Sequence, residues 1–225
     1  MDAVTQSPLF GIALSAAAFS AGVWINRRVK ISVANPILIA IPLVILCLLL
    51  TGTPLEHYQR GGEVINMLLS PATVALALSI YRQREILREN FLPVLLGCLA
   101  GCCASVGSTL ALCRLFGLDA ALTASLLPKS VTTPIAVELS RQGGGVAAVT
   151  IVVVLFTGIA GAALAPAMLR LLRITDPVAA GVAIGTASHG IGTARALQLG
   201  KVQGAMSGVA IGVSGIITVL LLTFW

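Results

Sequence analysis

Apolar residues come in blocks long enough to cross a bilayer, separated by short charged clusters. A spanning helix needs about 20 largely apolar residues. Residues 8–25, 33–50, 64–80, 91–113, 146–172 and 205–224 read as plain spans. Residues 120–139 and 178–197 are also long enough but carry polar side chains at mid-depth. The pattern predicts an all-α polytopic transmembrane helical bundle, one domain over residues 1–225, with about six full spans and two interrupted or re-entrant segments.

Charge orients these blocks. Arg27, Arg28 and Lys30 follow the first span, Arg60 follows the second, and Arg82, Arg84 and Arg88 follow the third. Cytoplasmic loops hold the excess of Lys and Arg, so the first and third loops are expected inside and the N-terminus outside. If both interrupted segments are re-entrant, Arg170, Arg173 and Lys201 also fall inside; if both cross, Arg170 and Arg173 fall outside.

Composition agrees. Of 225 residues, 57% are hydrophobic and only 10% charged, against about 25% in a soluble domain, and mean hydropathy is +1.02. The net charge of +6 is dispersed in loops and gives no nucleic-acid module. The five cysteines lie inside apolar stretches without metal-ligand spacing and read as small packing residues, with no metal or cofactor expected. No small-residue cleavage pattern follows the first apolar block, so no cleavable signal is expected.

Helix breakers recur at a fixed interval. Asp119 and Asp176 each end the linker after a plain span, and their offset of 57 carries Pro128 onto Gly185 and, backward, onto Pro71. This describes a repeated unit of one span plus one interrupted segment.

The first interruption is Leu127-Pro128-Lys129-Ser130-Val131-Thr132-Thr133-Pro134. Each proline lacks an N–H and disfavours helix before it. Thr133-Pro134 reads as N-cap and N1, so a helix is expected to start at Pro134. Its first-turn N–H groups and the charge of Lys129 form an anion-binding combination. A lysine at membrane depth costs about 2.5 kcal/mol or more unless it faces water or snorkels. The alternative is a surface loop with Lys129 solvated. The second interruption, residues 185–195, holds three glycines, Thr186, Ser188, His189 and Thr193. It reads as an unwound stretch lining a cavity, with His189 able to relay a proton; the alternative is a hydrogen-bonded packing histidine. Ser70-Pro71-Ala72-Thr73 is a third break or a plain kink. Gly204, Gly208 and Gly212 form one small-residue contact stripe, and Gly97/Gly101 and Gly181/Gly185 repeat its spacing. Nucleophile-elbow, P-loop and zinc-protease templates are missing, and His189 has no acid within ten residues, so no enzyme is expected.

The two long interruptions resemble the two signatures of the LrgB/CidB family, and Pro71-Ala72-Thr73-Val74-Ala75-Leu76-Ala77 resembles its third. Order and spacing fit over residues 5–225. The resemblance implies a multi-pass protein of the bacterial inner membrane, made beside a small LrgA/CidA-like membrane partner. The family was named for a holin/antiholin-like role in murein hydrolase activity and lysis. A plant chloroplast relative exports glycolate and glycerate, and some bacterial members are linked to pyruvate uptake. Ser70 departs from an expected glycine, and Gln198, Lys201 and Gln203 stand where acids are common.

These readings converge on a carrier of small 2-hydroxy or 2-oxo acid anions such as glycolate, glycerate, lactate or pyruvate. Lys129 would neutralise the carboxylate, with Ser130, Thr132, Thr133, Ser188, Gly190 and Thr193 around it, Pro71 and Thr73 contributing, and His189 carrying a coupled proton. The expected partners are the LrgA/CidA-like protein, the anion, the lipid bilayer and further copies of the chain. The rival is a holin/antiholin-like regulator that oligomerises through glycine faces.

Overall fold

A computed structural model describes residues 5–29, 36–68, 71, 74, 81 and 84–223. Among these residues the fold is all-helical: α1 (Pro8–Val29), α2 (Pro36–Thr51), α3 (Leu55–Asn66), α4 (Arg84–Glu89), α5 (Phe91–Leu115), α6 (Ala120–Leu126), α7 (Thr133–Gln142), α8 (Ala147–Leu171), α9 (Pro177–Leu199) and α10 (Lys201–Thr223). The chain divides into two compact units, residues 1–75 and 76–225.

Helices α1, α5, α8 and α10 are long and apolar enough to cross a bilayer, and α2 carries a shorter apolar stretch. Four of the six expected spans are thus seen at full length. The second is seen from Pro36 as the 16 residues of α2, its first residues, 33–35, lying outside the described residues together with most of 64–80. In the first unit, α3 packs on the start of α1 through facing glycines. A Cβ on Gly61 would lie 2.6 Å from Gly11 Cα, and Tyr58 Oη meets Ser15 Oγ at 2.9 Å.

The second unit repeats one design twice. Helices α5 and α8 each have 25 residues and end in a left-handed residue, Gly117 (φ 64°) and Arg173 (φ 53°). In both turns the next residue bonds back into the helix: Leu118 N donates to Cys113 O and Ile174 N to Leu169 O, each at 2.9 Å. An aspartate then caps the following helix, with Asp119 Oδ1 accepting from Leu122 N and Asp176 Oδ1 from Ala179 N, each at 2.7 Å.

Both capped segments are broken and fold back on themselves. Helices α6 and α7 have only 7 and 10 residues, too short to span, and are joined by non-helical residues 127–132. Ala124 of α6 faces Gly143, which follows α7, and Ser125 Oγ accepts from Val146 N at 2.7 Å. Helix α7 starts at Thr133 with Thr132 as its cap, one residue before the expected Pro134 start, because Pro134 takes the second helical position.

The second break is tighter than its composition suggests. Residues 185–195 are helical except for His189, at φ 40° and ψ −136°. The expected unwound stretch is therefore one residue, and Gly185 is no breaker. At the offset that relates the two capping aspartates, His189 corresponds to Thr132, so the breaks correspond there. The chain reverses at His189: Gly185 and Thr193 both lie against Ser207 of α10, and Gly181 and Leu197 lie against its neighbours Gln203 and Gly204. In a straight helix residues 181 and 197 would be about 24 Å apart.

Glycines let the neighbours approach this helical hairpin. A Cβ on Gly185 would meet Ser207 Cα at 2.8 Å, one on Gly101 would meet Thr186 Cγ2 at 2.6 Å, and one on Gly158 would meet the His189 ring at 2.7 Å. The expected stripe on α10 is split. Gly204 packs on Leu197 within the chain, whereas a Cβ on Gly208 would meet nothing within 4 Å.

Two outcomes follow. Overpacking costs about 1–3 kcal/mol, so Gly185→Val lowers the thermal unfolding midpoint in detergent, while Gly107→Val, facing open space, leaves it near wild type. Because the His189 backbone lies where only glycine is relaxed, His189→Ala unfolds at a lower temperature than His189→Gly in the same assay.

Candidate functional site

The tips of the two hairpins meet around a cavity of about 670 Å³. Its polar wall comes from Ser105 and Ser108 of α5, Lys129 and Ser130 of the first tip, Thr157 of α8, and Thr186 and Ser188 of α9. Alanines and glycines make most of the remainder, with Phe156 at one side.

The repeat contributes in pairs. Gly101, Ala104 and Ser105 of α5 line the cavity, and so do their counterparts on α8, Thr157, Ala160 and Gly161, at a constant offset of 56. Lys129 and Ser130 line it together with Thr186 and Ala187, which stand at the offset of 57. The extra residue lies in the second linker: α5 ends four residues before Asp119, and α8 five before Asp176. The cavity therefore sits where the two copies face each other.

Lys129 is half-buried, and its Nζ donates to Ser105 Oγ at 2.9 Å. That oxygen also meets Ser130 Oγ at 2.9 Å. An ammonium has three protons, and this serine uses one. Ser188 is 1% exposed. Its hydroxyl and that of Thr157 make no hydrogen bond among the described residues, and both residues line the cavity. Thr186 is committed differently: it donates to Cys98 Sγ at 3.4 Å and accepts from Ser214 Oγ at 3.1 Å, tying the wall to α5 and α10. The result is a set of donors suited to an anion, with no carboxylate among the described lining residues.

Of the expected site residues, Lys129, Ser130 and Ser188 come together here. Thr132 and Thr133 start α7 outside the lining. Thr193 donates to His189 O at 3.0 Å and meets Ser207 Oγ at 2.7 Å, away from the cavity. Gly190 is exposed and also outside the lining. His189 is 4% exposed, and its Nε2 lies 3.0 Å from Val154 O of α8, over Gly158. The ring pins the hairpin tip to α8 and lies behind the wall. Pro71 is helical and belongs to the other unit, and Thr73 lies outside the described residues. Sequence reasoning missed Ser105, Ser108 and Thr157. Their signal is a hydroxyl within an apolar span, which resembles ordinary helix packing until α5 and α8 are compared position by position.

A model of the LrgB-like family matches residues 15–225. An antiholin-like protein LrgB of Bacillus subtilis (strain 168) is 35% identical over 97% of this chain and 95% of its own length. Protein YxaC of the same organism is 39% identical over 88% and 86%, and an antiholin-like protein LrgB of Bacillus mycoides (strain KBAB4) is 34% identical over 98% and 96%. No solved structure matches the chain. With four membrane-length helices among the described residues and a match over nearly its whole length, the chain is a membrane protein and belongs to the LrgB-like family.

Proposed function

We propose that this protein is a carrier for small 2-hydroxy or 2-oxo acid anions of the glycolate, lactate and pyruvate class, working in the bacterial inner membrane beside an LrgA-like partner. The observation that carries the reading is the Lys129 ammonium in a cavity between two helical hairpin tips, with Ser105 as its hydrogen-bond partner. Broken helices at a repeat interface are a recurrent way to build a carrier site, because free backbone and hydroxyl groups replace the water that a solute loses. Here Lys129 neutralises the carboxylate. Ser188, Thr157 and Ser130 take its oxygens and the 2-oxygen.

In the topology we propose, both hairpins are re-entrant. The first enters from outside and the second from the cytoplasm, which makes α5 and α8 antiparallel and the repeat inverted. This arrangement places Arg170, Arg173 and Lys201 inside, in line with the positive-inside rule.

A charge-assisted hydrogen bond contributes about 1.5–3 kcal/mol. Lys129→Ala therefore reduces glycolate uptake into proteoliposomes holding the chain and its partner by at least about tenfold, and Ser188→Ala by a smaller factor. Unchanged initial rates for both variants would remove the cavity from the mechanism.

The names of the relatives, antiholin-like proteins, favour a second reading, a holin/antiholin-like regulator, which the family resemblance ties to murein hydrolase activity and lysis. It needs an oligomer face, and Gly208 has the open space for one. Under this reading Gly208→Leu abolishes the lysis phenotype and Lys129→Ala leaves it intact. If transport underlies the phenotype, lysis timing follows Lys129 instead.

A further inference from the structure

A second cavity, of about 370 Å³, adjoins the first. Gly97 of α5 and Ala183 of α9 line both. From that junction the second cavity runs between α5 and the first arm of the α9 hairpin to Asn90 and Asp176. These residues directly precede the two helices, so this end of the groove lies at the water boundary of the unit. At the junction the side chains are the smallest available. A Cβ on Gly97 would already lie 3.2 Å from Val182 Cγ1, and Ala183 is exposed to the cavity. Asp176 at the mouth is engaged with Ala179 N, and the walls beyond it are apolar, so the groove offers passage and no competing anion site.

We propose that the groove between α5 and the first arm of α9 is the aqueous access path from the cytoplasm to the Lys129 cavity, with Gly97 and Ala183 as its size-determining residues. The proposal rests on the carrier reading and deepens it, since it gives the same site a route to one side of the membrane.

Two measurements test it. Ala183→Trp, which projects into open space, reduces uptake at least tenfold with Lys129 intact, whereas Gly107→Trp, which also faces open space but lines neither cavity, transports near the parent rate. Independently, Ala183→Cys in a Cys103→Ser background is labelled by a charged, membrane-impermeant thiol reagent at least tenfold faster in inside-out than in right-side-out membrane vesicles. Excess glycolate slows the labelling. Failure to label from the cytoplasmic side, as a lipid-filled groove would give, overturns the proposal, as does normal uptake by Ala183→Trp when Lys129→Ala has lost it. Cytoplasmic labelling in a chain that moves no acid supports the aqueous path and overturns the carrier reading alone.

Discussion

Backbone N–H and C=O groups need partners wherever lipid excludes water, and two breaks in apolar helices put that constraint at the centre of this fold. Each break is tolerable only if protein covers it. At His189 the cover is α8, which presents a glycine so that the imidazole can lie on its backbone and reach the Val154 carbonyl. At residues 127–132 the cover includes Ser105, whose hydroxyl meets both Lys129 and Ser130.

Close approach is what makes this cover work. Gly101, Gly158 and Gly185 bring α5, α8 and α10 against the α9 hairpin at separations that a methyl group would forbid. Hydroxyls seal the same contacts from within: Ser214 donates to Thr186, Thr186 to Cys98, and Thr193 meets Ser207. Packing holds the hairpin firmly on these sides and leaves it open toward the Lys129 cavity. The two copies of the repeat are alike in their caps and span lengths and unlike in their breaks. One is a proline-bounded loop of six residues and the other a single strained residue. The copies thereby supply different chemistry to a shared space, with the cation from the first and the buried hydroxyls from the second.

Much of this was legible from residue order. The regular spacing of Asp119 and Asp176, the proline-bounded loop and the partial burial of Lys129 beside a cavity followed from the pattern of the chain. The form of the second break did not. Three glycines within eight residues suggested unwinding, but Gly185 serves α10 packing and Gly192 lies close to Ser188 and Ile184. Propensity cannot tell a glycine used for conformation from one used for contact. His189 was misplaced for a related reason: a lone histidine beside a cavity and one bonded behind its wall have the same sequence. Ser105 and Thr157 became visible only when the two spans were aligned on each other, one position out of step with their capping aspartates.

The central claim is that a carboxylate rests against Lys129 between the hairpin tips. Solid-state NMR dephasing between ¹⁵N-lysine side chains and ¹³C-carboxyl glycolate in bilayers measures that contact directly. A carboxylate held there gives a nitrogen–carbon distance of about 3.5 Å that vanishes in Lys129→Ala while the signals of Lys30 and Lys201 remain. Equal dephasing in the parent and in Lys129→Ala, or none in either at saturating glycolate, would contradict it.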